Sequence, residues 1–321
     1  MHPAHSPQSK WPNVAVLGAG AVGSYFGGLL ARAGVPVTLI GRNPHIEKIT
    51  SSGLFLDSIH FQETVPVAAS ISLDAIKHAE IVMLCVKSYD TDEAVNNIAN
   101  RLSREAIIVS LQNGVENAER IHAAGMKVVA AAVYVAAELS APGHVKHTGA
   151  GNLAIGDFWA KGRNDQLLSD AVKKVADLFS RAGVPCRISQ NIQSDLWIKL
   201  VMNCSYNAIS ALCSAKYGPL SQNPGIQETM RQVIDEIIAV AQALRIEIPS
   251  ADALMQSAID LGAMIADALS STAQDIHRGR RTEIDSLNGY IARRGRELGI
   301  ATPVNQTLHA LVKLLEQNVT T

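Results

Sequence analysis

The sequence predicts an α/β domain built on a parallel sheet, followed by a second domain made only of helices. From Asn13 to about Ile188, short β-branched runs alternate with helical patterns, as expected for strands crossed over by helices on both faces of a sheet. After Asn191 strand signals vanish, and helical patterns run on with breaks at Gly218-Pro219, Asn223-Pro224-Gly225, Ile248-Pro249-Ser250 and Thr302-Pro303. With 321 residues, 47% hydrophobic and only 18% charged, the chain is long enough to bury two such cores. The boundary falls near Gln190, giving domains of residues 11–190 and 191–321.

Taken in order, the opening MHPAHSPQSKWP lacks the apolar centre of a signal peptide and reads, over its first ten or so residues, as a loose tail. NVAVL is the first strand, a helix follows through Ala31, and VTLI is the second strand. GLFLDSIHFQETVPV reads as an inserted hairpin, and IVMLCV, AIIVS and VVAAAVYV supply further strands. After Pro142 and Gly143, HVKHTGAGNLAIG resembles two short strands, before another helix and the terminal strand CRIS. The longest apolar run, VVAAAVYVAA from Val128 to Ala137, is too short to cross a bilayer, so no membrane partner is expected. Cys85, Cys186, Cys204 and Cys213 follow no metal-ligand spacing and suit buried thiols in a reducing cytoplasm. A net charge of -1 gives no footprint for nucleic acid, and the clusters Arg278, Arg280, Arg281 and Arg293, Arg294, Arg296 read as solvated helix faces. The helical surfaces show no clear assembly seam, and a homodimer is the oligomer kept in view.

The first strand runs into Gly18-Ala19-Gly20-Ala21-Val22-Gly23, a G-x-G-x-x-G that opens a helix. In that context the first glycine permits a tight turn, the second lets backbone approach a pyrophosphate, and the third allows close helix packing. The second strand ends in Ile40-Gly41-Arg42-Asn43, without the acid that binds ribose hydroxyls of NAD. A guanidinium there suits a 2'-phosphate and points to NADP(H), a plain surface arginine being the alternative. Lys87 follows CV, and Asn113 precedes Gly114 in SLQNG, so both lie at carboxyl ends of strands, where parallel sheets bind ligands. A helix-flanking lysine and an Asn-Gly turn are the structural alternatives.

In SDLWIKLVMNCSYNAIS, Lys199, Asn203 and Asn207 stand four apart on a helix dense in apolar residues, a polar lane that Ser210 and Ser214 extend. Alone, the lane reads as structural, with Asp195 one turn before Lys199 as an ion-pair partner. Downstream, SSTAQDIHRGRRTEIDSLNG gathers Ser271, Asp275 and Glu283. Glu283 there borders the apolar stripe Ile284, Leu287 and Ile291, and alone it reads as an acid favoured at a helix N-terminus. No HExxH, no Cys/His cluster and no G-x-S-x-G occurs, so metal hydrolysis and nucleophile-elbow chemistry have no support and no metal is expected.

With these residues in view the chain resembles the ketopantoate reductase (2-dehydropantoate 2-reductase) family over nearly its whole length: VLGAGAVG, Arg42, the Lys87 and QNG strand ends, DLWIKLVMNCSYN, and Ser271 through TEIDSLNG. The resemblance implies a Rossmann-type dinucleotide-binding domain followed by a helical domain like the C-terminal domain of 6-phosphogluconate dehydrogenase. It implies NADPH-dependent reduction of 2-dehydropantoate to pantoate, the step that feeds pantothenate and coenzyme A synthesis, with Lys199 as proton donor. Asn113, Lys199, Asn203, Asn207 and Ser271 would bind substrate, and Glu283 would serve catalysis at the nicotinamide end. Gly18 to Gly23, Arg42, Lys87, Asn113, Ala137 and Glu283 would hold the cofactor. Ala208, Tyr217 and the stretch Ala268-Leu269-Ser270 depart from the family's pattern at the substrate pocket. A reductase for another branched 2-oxo acid is therefore the alternative. A noncatalytic NADP sensor is the alternative from another class, and it would have no need of Lys199 or Glu283.

Overall fold

The computed structural model describes residues 10–158 and 169–319. All but the last residue of the expected N-terminal tail thus lies outside the described residues. The chain forms two compact units. The first holds the chain up to Val86, Asp90–Gln112 and Ala118–Gln190; the second holds Lys87–Tyr89, Asn113–Asn117 and the chain from Asn191 on.

The first unit is built from β1 (Val14–Leu17), α1 (Ala21–Arg32), β2 (Val37–Ile40), α2 (His45–Ser52), β3 (Leu54–Ser58), β4 (Phe61–Val65), β5 (Ala68–Ser70), β6 (Ile81–Leu84) and α3 (Thr91–Ala99). It continues with β7 (Ile107–Ser110), α4 (Asn117–Ala123), β8 (Lys127–Ala141), β9 (His144–Gly156), α5 (Asp170–Arg181) and β10 (Cys186–Ile188). Parallel strands run in the order β5-β2-β1-β6-β7-β8, the 3-2-1-4-5-6 order of a doubly wound dinucleotide-binding sheet. Side chains alternating along β1 feed two cores. Val14 and Val16 pack with Phe26, Leu30, Val175 and Phe179, while Ala15 and Leu17 pack with Ile76, Val95, Ile98 and Ile121. Each fully buried aliphatic side chain contributes about 1.5–3 kcal/mol, so burial on both faces fixes where the carboxyl ends of these strands lie.

Beyond β8 the sheet becomes mixed. The Pro142-Gly143 link between β8 and β9 is too short for a crossover helix, so β9 must return antiparallel. β9 then pairs with β3 in parallel, and β3 forms the expected hairpin with β4. HVKHTGAGNLAIG is one strand rather than two. Ala150 at φ 55° and Gly151 at φ 120° form an irregularity opposite the register shift at Tyr134/Val135, which bends the strand without ending it.

The second unit contains α6 (Ile192–Cys213), α7 (Tyr217–Gln222), α8 (Pro224–Ala243), α9 (Ala251–Met264), α10 (Ser271–His277), α11 (Asn288–Leu298) and α12 (Pro303–Val319). α6 packs against α7, α8, α9, α10 and α12, which explains its apolar density: Leu196, Trp197, Leu200, Val201, Cys204, Ala208 and Ile209 are all buried. Asn191 caps its start by accepting from the Ser194 amide at 3.1 Å. Three of the four expected breaks separate helices, but Gly218-Pro219 lies within the first turn of α7. Proline is tolerated there because the first amides of a helix have no intrahelical acceptor. Cys204 is buried as expected and Cys85 and Cys186 are partly so, but Cys213, at the last turn of α6, is exposed. Among the described residues no helix is long and apolar enough to cross a membrane, and no group of His, Cys, Asp or Glu is arranged to hold a metal ion.

Candidate active site

In the first unit, the turn from β1 to α1 has the geometry a dinucleotide loop requires. Gly18 lies at φ 103°, and a Cβ there would stand 2.6 Å from the backbone of Cys85 and Val86, so only glycine fits. A Cβ on Gly23 would meet the Gly18 carbonyl at 2.3 Å, which explains the third glycine. Gly20 differs: its φ of -81° suits any residue, and a Cβ there would meet nothing within 4 Å. The protein itself therefore does not demand glycine at 20, and the open space is the one a pyrophosphate needs. Gly20 also offers no side chain to cap α1, so the first amides of that helix, on Ala21, Val22 and Gly23, are left for an anion. The residues present fit a bound dinucleotide.

Arg42 stands beside this loop. The Gly18 and Ala19 amides both donate to the Ile40 carbonyl, at 3.0 and 2.9 Å, and a Cβ on Gly41 would come 2.9 Å from that of Ala19. The loop thus packs on the end of β2, and Arg42, the next residue, is exposed. Ala137 lies in β8 opposite His147, half-buried, at a second register shift.

The second unit joins four of the remaining predicted residues, Lys199, Asn113, Glu283 and Lys87, into one hydrogen-bonded chain. Lys199 Nζ donates to Asn113 Oδ1 at 3.0 Å, and Asn113 Nδ2 donates to Glu283 Oε2 at 3.0 Å. Glu283 Oε1 accepts from the Ser88 amide at 2.9 Å and from Ser88 Oγ at 2.8 Å. Lys87 Nζ lies 2.6 Å from Asp275 Oδ2 and 3.4 Å from Glu283 Oε2. Asn117 Nδ2 holds the Asn113 carbonyl at 2.7 Å, fixing the strand-end segment that carries Asn113.

These contacts set the charges. Burial opposes the Glu283 carboxylate, but Lys87, Ser88 and Asn113 outweigh it and hold the carboxyl below its usual range. Burial also opposes the Lys87 ammonium, yet the charges of Glu283 and Asp275 raise its pKa above the ordinary value. Asp275 shares that one cation with a better-hydrogen-bonded neighbour, and burial leaves it above its usual value. Lys199 faces only a neutral amide, so burial dominates, against a smaller pull from Glu283, and lowers its pKa from 10.5 to about 8.

The polar lane of α6 therefore divides by depth. Lys199 joins the charged cluster, and Asn203 is half-buried with no side-chain hydrogen bond among the described residues. Asn207 is buried, its Nδ2 3.4 Å from Ser271 Oγ and its Oδ1 accepting from Tyr217 Oη at 3.3 Å. Ser210 and Ser214 do not continue the lane toward a ligand. Ser210 Oγ donates to the Ala215 carbonyl where α6 ends, and Ser214 Oγ lies 3.4 Å from His277 Nε2. Ser271 opens α10 and is exposed.

Glu283 is not on the long helix expected from its apolar stripe. It precedes a short 3-10 turn at Ile284–Ser286, and its carboxylate is taken by Lys87, Ser88 and Asn113 rather than by a helix end. The sequence reading missed Ser88, although it follows Lys87 directly. It gave Asp275 no partner, because a contact across 188 positions leaves no local pattern. A cavity of about 820 Å³ opens elsewhere, in the first unit, lined by Tyr25, Arg32, His60, Phe61 and Glu63 among others. It holds none of the predicted residues, and its arginine is committed to Glu63 and to the Phe61 ring.

A family model described as ketopantoate reductase PanE/ApbA matches residues 14–159, and the model of that family's C-terminal domain matches residues 191–316. The chain belongs to the ketopantoate reductase family. As such it is an oxidoreductase with the family's fold, a Rossmann-like sheet domain followed by a helical one. The 2-dehydropantoate 2-reductase of Pyrococcus horikoshii is 35% identical over 94% of this chain and 96% of its own. The crystal structure of a PanE/ApbA family ketopantoate reductase from Ralstonia eutropha JMP134 is 42% identical, with a TM-score of 0.89 over 96% of this chain and all of that one, 100%. The structure of a D-mandelate dehydrogenase with NADH is 25% identical, with a TM-score of 0.82 over 96% of this chain and 99% of that one.

Proposed function

We propose that the protein reduces 2-dehydropantoate to (R)-pantoate with NADPH, the reaction that feeds pantothenate and coenzyme A synthesis. The observation that carries this reading is Lys199, an ammonium whose pKa burial lowers to about 8 and whose partner is the neutral Asn113. Such a group donates a proton readily near neutral pH, as reduction of a ketone demands. The Gly18–Gly23 loop and Arg42 would hold the dinucleotide, which when bound would supply the hydride. Lys199 protonates the carbonyl oxygen as negative charge develops there, and Asn113 orients its Nζ. Glu283 fixes Asn113 in turn, and Lys87 balances the Glu283 charge. Asn203 and Ser271 bind the polar groups of the 2-oxo acid without adding charge.

The family relatives named 2-dehydropantoate 2-reductase support this substrate. A second reading, reduction of another branched 2-oxo acid, is favoured by Asn207, whose amide is engaged at both ends by Tyr217 and Ser271 and so has less to offer a substrate hydroxyl. The likeness to a D-mandelate dehydrogenase also supports it. Steady-state oxidation of NADPH and of NADH with 2-dehydropantoate and a panel of 2-oxo acids tests both. A kcat/KM highest for 2-dehydropantoate is expected; a higher value for another acid selects the second reading, and no turnover with any acid overturns both.

A further inference from the structure

We propose that Tyr217 is a positioning residue that sets the hydrogen-bond polarity of the substrate end of the site, so that Ser271 presents its O–H to an acceptor-only group, the carboxylate of the 2-oxo acid. The inference rests on the reading above and assigns Tyr217 a part in it.

Tyr217 begins α7 and is buried, its ring stacked on Tyr206 with centroids 4.4 Å apart. Tyr206 directs its own hydroxyl to the Ala258 carbonyl at 2.6 Å, and no hydrogen bond joins the two hydroxyls. Burial raises the Tyr217 pKa, so the phenol keeps its proton. Among the described residues its one hydrogen bond runs to Asn207 Oδ1, at 3.3 Å. That bond fixes the amide. With Oδ1 facing the phenol, Nδ2 is turned to Ser271 Oγ, 3.4 Å away. The flipped amide would set Nδ2 against the phenol and leave a buried O–H without an acceptor. Ser271 Oγ, accepting from Nδ2, keeps its single proton for a group outside the protein, and its exposure leaves room for one. The neighbouring Ser270 cannot take this part, because its hydroxyl already donates to the Asn207 carbonyl at 3.2 Å.

A double-mutant cycle of Tyr217→Phe and Ser271→Ala tests the relay, with kcat, KM for the preferred 2-oxo acid and NADPH dissociation measured on all four proteins. Phenylalanine keeps the ring stack. Tyr217→Phe is expected to raise KM about tenfold, equivalent to about 1.4 kcal/mol, with kcat within about twofold and NADPH binding unchanged. In the Ser271→Ala background the same substitution should add less than about twofold, because the group it positions is gone. An unchanged KM, or the same factor in both backgrounds, overturns the proposal and leaves Tyr217 as packing. Asn207→Asp is a second check that keeps the phenol: its new oxygen draws the Ser271 proton inward, so KM should rise at least as far as in Ser271→Ala, and an unchanged KM overturns the relay. If the parent reduces no 2-oxo acid, the proposed function fails, and calorimetric binding of pantoate to the same four proteins decides this inference separately. Weaker binding to Tyr217→Phe, absent in the Ser271→Ala background, supports it; any other result, including no binding by the parent, overturns it.

Discussion

Replacing Lys199 by Met should leave a folded, more stable protein that has lost its proposed proton donor. Burial lowers the Lys199 pKa from 10.5 to about 8, with Glu283 pulling the other way, and that difference corresponds to about 3 kcal/mol of unfavourable charge burial. The contact with Asn113 Oδ1 at 3.0 Å returns roughly 1 kcal/mol, so the net gain on substitution is about 2 kcal/mol at pH 7. Methionine fills much of the same space, which keeps cavity costs small. The unfolded chain holds its lysine proton up to pH 10.5, whereas the folded chain releases it near 8. The destabilisation is therefore complete below pH 8 and fades as pH rises toward 10.5, so the variant's advantage should be full at pH 7 and shrink by pH 10. Urea unfolding of both proteins at the two pH values measures it. In the same variant kcat should fall by about 10² to 10⁴, the usual cost of losing a general acid, and the decline of the parent's kcat above pH 8 should disappear. A variant that keeps its activity, or one that is less stable than the parent at pH 7, would refute the assignment.

Arg42→Ala should erase most of a preference for NADPH over NADH, since a charge-assisted contact to the 2'-phosphate is worth about 1.5–3 kcal/mol; equal kcat/KM with the two cofactors in the parent would remove Arg42 from the site. Gly20→Ala should leave the melting temperature unchanged, because its Cβ meets nothing within 4 Å, yet weaken NADPH binding by at least about tenfold, as read by calorimetry. Retained affinity would show that no pyrophosphate lies against that glycine. Asn113→Asp would set a carboxylate where Lys199 now meets an amide at 3.0 Å, so the fall of kcat with pH should move above 8 and its plateau should drop. A pH profile that stays in place would mean that Asn113 does not govern the lysine.

The fold was legible wherever local pattern and tertiary demand agree. β1, the glycine turn and α1 could be read from the sequence because burial, backbone geometry and helix capping all point to one structure over Val14–Arg32. The single strand β9 reads as two, since a bulge at Ala150-Gly151 looks like a strand end in sequence. In the site, Lys199, Asn203 and Asn207 were visible because helical spacing put them in one lane. Glu283 was visible as a residue and not as a geometry: its apolar neighbours suggested a helix, while its partners, Lys87, Ser88 and Asn113, come from segments more than 150 positions away. Tyr217 stood out only as a departure, since nothing local says that its hydroxyl meets Asn207.

The two lysines of the site show why its charges have to be arranged as they are. Both are drawn away from water, and burial alone would lower both pKa values. Lys87 has two carboxylates within 3.4 Å and is held as a permanent cation; Lys199 has an amide and is held near the point of proton release. Asn113 makes the difference, because it joins Lys199 to Glu283 by hydrogen bonds without bringing a negative charge into direct contact with the ammonium. A direct Lys199–Glu283 pair would hold the proton too tightly to give it up. Without Lys87, the buried Glu283 would lose its charge partner and take up a proton more readily, and the bond that orients Asn113 would lose its charge assistance. The positive charge beside Glu283 thus supports the proposed proton donor two hydrogen bonds away.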